Sequence, residues 1–381
     1  MKKTLLAALF LLLVIPTIAQ EAPPPPDLGS GMVVIQGLNG PQGLHVDADG
    51  ALWIVDSGVG GETAIDFINV NTFEPVEATF GETSQILRMA SPNEELELVA
   101  TLPSVAAGMD FIGGARLTTA GDAVYATVGS WHISLGEDVS IENYTSVVSI
   151  VDGEVQTFAD LWAHELANNP DGTENIESHP YGITVGSDGM LYVADAAANA
   201  LIALDPETGG TTTIAVFEGM PGVFPNPWRG GESITDPVPT GVVIDDEGAI
   251  YVSLLSGAPF IPGSSKVVQV ATDGTVSDYA TGLTMLTDLQ LAPDGNLYAV
   301  SFGMFTEEGP VPNAGSVIRI LDDGTPEVVI DGLPFATALA IDENGNGYVA
   351  INGIAIPEAG MVVYYEALTA LEGQPMPEMG S

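Results

Sequence analysis

The chain has 381 residues, with 51 acidic and 7 basic side chains, a formal net charge of −44 and no cysteine. The lack of cysteine excludes disulfides, a lipoprotein anchor, cysteine-ligated zinc and thiol catalysis. The negative charge excludes nucleic acid and anionic lipid as binding partners, because both attract basic proteins.

The N-terminus has the pattern of a secretory signal peptide over residues 1–19. Two lysines precede an apolar run that ends at Ile15, and small residues follow up to Ala19. The run is shorter than a membrane span needs, so we expect cleavage after Ala19 and export to the periplasm or the exterior. An uncleaved anchor helix is the alternative. Residues 20–30 are a proline-rich spacer, and we expect a monomer with no membrane span in the mature chain.

Six segments repeat one pattern, in which an apolar run, an Asp/Gly turn and a second apolar run follow one another. Two examples are "HPYGITVGSDGMLYVADAA" (179–197) and "MLTDLQLAPDGNLYAVSFG" (285–303). Each second run opens with an aromatic residue, namely Trp53, Tyr125, Tyr192, Tyr251, Tyr298 and Tyr348. Two more strand-like runs follow each hairpin. Four strands in a period that reaches down to about 50 residues are typical of β-propeller blades.

The sequence therefore predicts an all-β domain over 31–366, a six-bladed β-propeller with four-stranded blades. The last repeat supplies three strands and ends at Glu366, whereas Met32–Ile35 has the pattern of a fourth strand. We expect this N-terminal strand to complete the last blade, which leaves no unpaired edge. Residues 367–381 are expected to form a flexible tail.

The long connections of the repeats are predicted to lie on one face of the propeller. In a four-stranded meander, the loop into strand one and the loop from strand two to three share a face. Because ordered loops on a rigid scaffold carry binding residues, this loop-rich face is the predicted site for a ligand or a protein partner. Its candidates are Trp131, His132, His179, Trp228 and Arg229, together with Trp162 and His164. The alternative is that these side chains pack the loops.

Two candidates, His45 and Arg116, lie on the innermost strands. When the repeats are aligned on these aromatics, with one extra residue in the second repeat, His45 and Arg116 fall at the same position. The equivalent residues in the other repeats are Thr184, Val243, Gln290 and Ala340. An arginine near the channel needs an acidic partner. The possible partners are Asp56, Asp110, Asp195 and Asp288. We favour a structural ion pair, and the alternative is an anchor for a ligand anion.

The segments "ADLWAHELANNPDG" (159–172), "LYVADAAANAL" (191–201) and "VPTGVVIDDEGAIYVSLLSGAPFIPGSSKVVQV" (238–270) resemble the ScyD/ScyE family. That family consists of exported, NHL-like six-bladed propellers, named for proteins encoded beside the genes for scytonemin, a cyanobacterial sunscreen pigment. The resemblance covers residues 28–366 and implies the fold and export. It supplies no catalytic residues.

Two enzyme families share the generic blade. Streptogramin lyases resemble the "HPYGI" segment and place a histidine at His179, but no second histidine lies beside an acid here. Lactonases of the gluconolactonase type hold a channel metal with Glu, Asn and Asp. Asp195, Asn199 and Asp288 imitate that set, although no inner-strand glutamate aligns. The metal candidates are Asp56, Asp195 and Asp288.

The remaining acids are scattered instead of grouped at ligand spacing, which indicates a solvated coat. The alternative is binding of a divalent cation, Ca²⁺ or Mg²⁺. The sequence thus predicts an exported, non-catalytic propeller that binds a ligand or partner on its loop-rich face. The alternative is a metal-assisted lyase or hydrolase at the channel mouth.

Overall fold

The computed structural model describes residues 27–68, 75–91, 94–108, 110–306, 309–354 and 356–377. The predicted signal peptide and residues 20–26 of the spacer lie outside this part of the chain. The described backbone is almost entirely β, as predicted. Its helices are α1 (Leu161–Asn168) and three short 3₁₀ turns, at Ile133–Leu135, Pro227–Arg229 and Leu368–Ala370. None of these described helices has the length and apolarity to cross a membrane.

The first strands in chain order are β1 Met32–Leu38, β2 Pro41–Val46, β3 Leu52–Asp56, β4 Thr63–Ile68, β5 Pro75–Met89, β6 Glu97–Ala107, β7 Asp110–Ile112, β8 Gly114–Ala120, β9 Ala123–Val128, β10 Trp131–His132, β11 Ser146–Val151, β12 Glu154–Asp160, β13 Glu177–Ser178, β14 Pro180–Val185, β15 Leu191–Asp195, β16 Ala200–Leu204 and β17 Thr211–Val216. The others are β18 Met220–Asn226, β19 Glu232–Thr235, β20 Pro239–Ile244, β21 Ile250–Leu254, β22 Ser265–Val270, β23 Val276–Leu283, β24 Leu286–Leu291, β25 Leu297–Ser301, β26 Phe305–Thr306, β27 Gly309–Pro310, β28 Gly315–Ile320, β29 Pro326–Leu333, β30 Ala338–Ile341, β31 Gly347–Ile351, β32 Gly360–Tyr365 and β33 Gln374–Pro375.

The described strands form six sheets of four or more strands, which we call blades 1–6 in the order of their innermost strands β2, β8, β14, β20, β24 and β30. Blade 1 is enlarged, because β4 and β7 extend the long strands β5 and β6 on the loop-rich side. Each innermost strand packs against the next, and β30 packs against β2. This closed radial arrangement is a β-propeller, the predicted fold. The apolar strands are buried on both faces because neighbouring blades cover them.

The hairpin turns are held by the aspartates and aromatics of the repeat. Asp294 accepts hydrogen bonds from the Asn296 amide (3.1 Å) and the Tyr298 hydroxyl (2.8 Å). Asp47 likewise accepts one from the Trp53 indole nitrogen at 2.7 Å. The repeat therefore encodes its own turns, in which a carboxylate caps the loop and fixes the ring that follows.

A Pro-x-Gly sequence at the start of three innermost strands lets neighbouring blades approach closely. A Cβ atom on Gly43, Gly182 or Gly241 would lie 2.6, 2.7 and 2.6 Å, respectively, from a backbone atom of the next innermost strand. Only glycine fits at such a contact. These glycines therefore set the narrow width of the central channel.

The N-terminal strand completes blade 6, as the sequence predicts. β1 pairs antiparallel with β32, with Met32 opposite Tyr364 and Leu38 opposite Gly360. Ile35 and Leu38 are buried in the apolar cluster between blades 6 and 1. The two ends of the domain are thus joined by one sheet.

The expectation of a flexible tail after Glu366 is wrong for residues 367–377. Leu368 is fully buried in the apolar cluster between blades 5 and 6, and β33 pairs with β29 at the outer edge of blade 5. The Arg319 guanidinium also donates to the carbonyls of Thr369 and Leu371. The tail is ordered because it covers a sheet edge that would otherwise be exposed.

We expect a chain that begins at Asn39 to be less stable than one that begins at Asp27 by several kcal/mol, about the loss of one packed strand. The shorter chain lacks β1 and exposes the β32 edge. Urea unfolding of both truncated chains measures the difference. Equal unfolding midpoints would contradict closure by β1.

Candidate functional site

The Arg116 guanidinium lies in the central channel, among the innermost strands. Its Nη2 donates to the carbonyls of Thr287 (2.6 Å) and Thr337 (2.9 Å), which belong to blades 5 and 6. Its carbon lies 4.7 Å from the centre of the Tyr181 ring in blade 3, a cation–π distance. The side chain therefore ties blade 2 to three other blades.

Asp288 is the acidic partner of Arg116. The Arg116 Nε lies 3.4 Å from the Asp288 Oδ1, and the two residues are only 4% and 2% exposed. Burial raises the Asp288 pKa, while Arg116 and the amides of Leu339 and Leu289 oppose that shift. The predicted ion pair is thus present, and Arg116 is engaged inside the protein instead of offered to a ligand.

The predicted alignment of Arg116 with His45 is wrong. His45 lies opposite Trp53, whereas Thr118 lies opposite the equivalent Tyr125. The second hairpin closes with a tight two-residue turn between Ala120 and Ala123, so it is shorter than the alignment assumed. Arg116 consequently holds the level of Gly43, and His45 lies nearer the turn face, bonded to the Thr119 hydroxyl at 3.0 Å.

A cavity of about 300 Å³ opens above Tyr181 on the loop-rich face, at the mouth of the channel. Gln42 and Tyr181 form its floor, where the Tyr181 hydroxyl donates to the Gln42 amide oxygen at 2.9 Å across the channel. Its other walls include Ser57, Asp110–Ala115, Ser130, Glu177, His179, Gly353 and Ile354. We call it the mouth cavity.

A second cavity of about 550 Å³ lies beside the first, beneath the loop 217–239. Aromatic and proline side chains dominate its outer wall, including Phe224, Pro225, Pro227, Trp228 and Phe260. Phe224 is 68% exposed at the rim. We call it the loop cavity.

Glu177 and His179 line both cavities and so form their common wall. The His179 backbone is fixed on both sides, since its amide donates to Asp195 (2.7 Å) and its carbonyl accepts from Ala196 (2.9 Å). Its ring meets the edge of Tyr181 at 5.4 Å. Burial lowers the His179 pKa to about 4, so the imidazole is neutral at physiological pH. Of the sequence candidates, His179 is the one best placed to contact a ligand.

Asp195 and Asn199 organise loops instead of facing a cavity. Asp195 accepts from the Ser178 hydroxyl (2.6 Å) and from three backbone amides, those of His179, Ala197 and Ala198. Asn199 donates to Asp171 at 2.9 Å. Their hydrogen-bonding capacity is used within the fold.

Asp56 occupies the place in blade 1 that Asp195 has in blade 3. It is 1% exposed and accepts from the Asn39 amide at 2.8 Å, while its Oδ1 has no hydrogen-bond partner among the described residues. Burial raises the Asp56 pKa to about 6.

Asp56, Asp195 and Asp288, the predicted metal candidates, belong to three different blades and keep separate partners. In the part of the chain that the structure describes, no three His, Cys, Asp or Glu side chains are grouped to hold a metal ion.

The other loop candidates divide between packing and lining. Trp131 and Trp162 are buried, and their indole nitrogens donate to the carbonyls of Gly136 and Glu137. His164 is held between the hydroxyls of Thr211 and Thr213. These three side chains pack the loops, as the alternative interpretation held. Trp228 lines the loop cavity.

Arg229 is part of a partly buried, mainly acidic cluster beside the loop cavity. Its guanidinium pairs with Asp236 at 2.6 Å and with Asp171 at 3.5 Å. Glu165 is 1% exposed, and its Oε2 has no hydrogen-bond partner among the described residues. Burial, together with the neighbouring carboxylates, raises the pKa of Glu165 to about 8. The pKa of Glu177 is also raised to about 8, mainly by burial.

Sequence reasoning missed Glu177, Gln42 and Tyr181. Gln42 and Tyr181 are the middle residues of the repeated Pro-x-Gly sequence, so that repeat was a signal for the channel floor. Glu177 stands in a loop without a counterpart in the other repeats. No pattern marks it.

No family model matches this chain. A glycolaldehyde reductase of Halobacterium salinarum is 26% identical over 279 residues, which cover 70% of this chain and 72% of that protein. Regucalcin, a calcium-binding protein of Agrobacterium tumefaciens, superposes with a TM-score of 0.50 at 11% identity, over 91% of this chain and 95% of that one. Virginiamycin B lyase of Staphylococcus aureus gives 0.44 at 14% identity, over 88% and 98%. The likeness to regucalcin establishes the β-propeller fold.

We expect Arg116→Met to lower the free energy of unfolding by about 3–5 kcal/mol, because it leaves the Asp288 carboxylate buried without its partner. The matched control is Lys266→Met, which removes an exposed pair with Asp278 and should cost less than about 1 kcal/mol. Urea unfolding of both variants measures the two effects. An unchanged midpoint for Arg116→Met would favour the ligand-anchor alternative.

We expect the pair Glu165 and Glu177 to make stability fall as pH rises. Their pKa values rise on folding from 4.5 to about 8, so their contribution is full below pH 4.5 and is lost as pH increases through 8. Glu165→Gln cannot ionise and should therefore lose less stability than wild type between pH 5 and pH 9. The exposed Glu174→Gln serves as control and should follow wild type. Parallel profiles for wild type and Glu165→Gln would contradict the buried, protonated carboxyl.

Proposed function

We propose that this protein is an exported, non-catalytic β-propeller that binds a small organic ligand in the mouth and loop cavities of its loop-rich face. The observation that carries the proposal is the common wall formed by Glu177 and His179. This wall lies between the mouth cavity of about 300 Å³ and the loop cavity of about 550 Å³, above a closed channel. Cavities of this size that combine apolar walls with a few polar groups are typical of ligand sites.

The closed channel defines how a ligand enters. Arg116, Asp288 and Tyr181 fill the level below the mouth cavity, so access is from the loop-rich face alone. The hydrogen bond between Gln42 and Tyr181 keeps the floor rigid. A pre-formed floor lowers the entropic cost of binding.

The resemblance to the ScyD/ScyE family and the predicted signal peptide support export. The segments that carry this resemblance, 159–172 and 191–201, contain α1 and the strands beside His179. On this proposal the mature chain acts as a monomer outside the cytoplasm. Its ligand reaches it from solution.

A lyase or hydrolase that acts at the channel mouth is the second candidate. The observation that favours it is the pairing of unlike groups on the common wall. The neutral imidazole of His179 can accept a proton, and the buried carboxyl of Glu177 can donate one. This candidate would be favoured over simple binding if wild type converts the bound molecule and His179→Ala retains it unchanged.

We expect His179→Ala to fold with the melting temperature of wild type and to lose at least ten-fold in ligand affinity. The reason is that its backbone contacts remain while the cavity wall is removed. Native mass spectrometry of the purified full chain, with release of any bound small molecule, detects the ligand. His45→Ala is the matched control, since His45 lies away from both cavities and should leave binding intact.

Two results would contradict the proposal. One is wild-type protein that carries no small molecule and gains no thermal stability from extracts of its native surroundings. The other is equal ligand retention by wild type, His179→Ala and a Phe224→Ala variant.

A further inference from the structure

Glu177 is a buried carboxyl with little to stabilise its negative charge. It is 9% exposed, and its hydrogen bond within the described residues comes from the Asn175 amide at a long 3.3 Å. No lysine or arginine in the described part of the chain forms an ion pair with it. A buried acid of this kind either holds a proton or awaits a cation.

The five basic side chains within the described residues are all engaged with other groups. Arg116, Lys266 and Arg319 pair with acids away from Glu177, and Arg88 stacks on Trp53. Arg229 lies nearer, but its guanidinium already pairs with Asp236 and Asp171. The other two basic residues, Lys2 and Lys3, belong to the predicted signal peptide, which we expect to be removed. Any positive charge that meets Glu177 therefore comes from outside.

The Glu177 carboxyl is held in a fixed orientation. The backbone amide of Ser134 donates to the His132 Nδ1, so that nitrogen is an acceptor and the ring proton is on Nε2. Nε2 then donates to the Asn175 side-chain oxygen at 3.0 Å, which turns the Asn175 amide group towards Glu177. This relay places an oriented carboxyl at the junction of the two cavities.

The walls around that carboxyl suit an organic cation better than a metal ion. Phe224, Trp228 and Phe260 line the loop cavity, and aromatic faces attract ammonium groups. Metal ions prefer several converging oxygens, and the described residues offer no such group of three. The overall negative field also draws cations towards this face.

We propose that the ligand of the joined cavities is an organic ammonium ion that carries an apolar or aromatic group. The ammonium meets the Glu177 carboxylate at the common wall, and the apolar part enters the loop cavity between Phe224, Trp228 and Phe260. His179 and Tyr181 close the other side. The inference rests on the proposed function and specifies its ligand.

Binding is coupled to a proton. The charged and titratable groups around Glu177 come from several elements. They are Glu165 on α1, Asp171, His132 on β10, Asp195 at the end of β15, His179, Asp236 with Arg229, and, across the mouth cavity, Asp110 and Tyr181. With the Glu177 pKa near 8, an arriving ammonium displaces the carboxyl proton into solvent. The affinity for the ammonium should then weaken roughly ten-fold for each pH unit below 8. The decrease should stop at the pH at which binding no longer depends on ionisation of Glu177.

The test compares protonated 2-phenylethylamine with its neutral isostere 2-phenylethanol by isothermal titration of the full chain. We expect 1:1 binding of the amine, at least ten-fold tighter than the alcohol at pH 8, and weaker at pH 6. Glu177→Gln should remove the preference and the pH dependence. Glu174→Gln makes the same charge change on an exposed neighbour and should retain both, which excludes general attraction to an acidic surface.

Each other outcome overturns the inference. Equal affinity for amine and alcohol, dependent on His179, would leave the binding function in place and refute a cationic ligand. Amine binding that Glu177→Gln and Glu174→Gln weaken alike would show adventitious surface attraction. No amine binding by wild type would also refute the inference. The proposed function is tested separately, by native mass spectrometry of any small molecule that co-purifies with the protein. Melting curves establish that each variant is folded.

Discussion

The buried contact between Arg116 and Asp288 is the constraint on which this propeller depends. Six innermost strands converge on a narrow axis. At the level of Arg116, four of them supply small residues that leave space for the guanidinium, and a fifth supplies the acid Asp288; the small residues are Gly43, Gly182, Gly241 and Ala338. Arg116 enters that space from blade 2 and bonds carbonyls of blades 5 and 6. A buried arginine is tolerated because Thr287, Thr337 and Asp288 offer oxygens and Tyr181 offers a ring face. The same contact closes the channel and makes the loop-rich face the place for a site.

The site follows from how few cations the chain has. Against 51 acids, the positive charges are used at the axis, beside the loop cavity and on two outer strands. Glu165 and Glu177 are left buried without them, and burial raises both pKa values to about 8. The cost of burying such groups is a reason to associate them with function instead of stability alone. The place of Glu177 beside an aromatic-walled cavity agrees with a cation as its partner.

Much of the fold could be predicted because its determinants are local and repeated. The Asp/Gly turns, the aromatic after each turn and the β1 segment all appear as patterns in the sequence. The register of blade 2 could not be predicted from the sequence. Its shorter turn shifts Arg116 relative to His45, and the apolar alternation of the strand hides this shift. The ordered tail also escaped, because a few residues that cover a sheet edge have no pattern of their own.

The site was predictable only in part. His179 was found because it precedes a repeated strand, and Arg116 because a basic residue is rare here. Glu177 and Phe224 come from loops of unlike length, and their meeting depends on the folding of those loops over the channel. Trp131 and Trp162 look like binding aromatics in sequence, yet they pack loops. Sequence gives the scaffold of such a site, whereas the loop conformations decide its lining.

Amide hydrogen exchange of the full chain with and without its co-purified ligand tests the central claim most directly. The amides of Leu289 and Leu339, which donate to Asp288, should be among the slowest to exchange in both states. Ligand-dependent protection should be confined to residues 175–182 and 222–236. Fast exchange at Leu289 and Leu339, or protection by ligand on the turn face, would contradict an axis closed by Arg116 with the site above it.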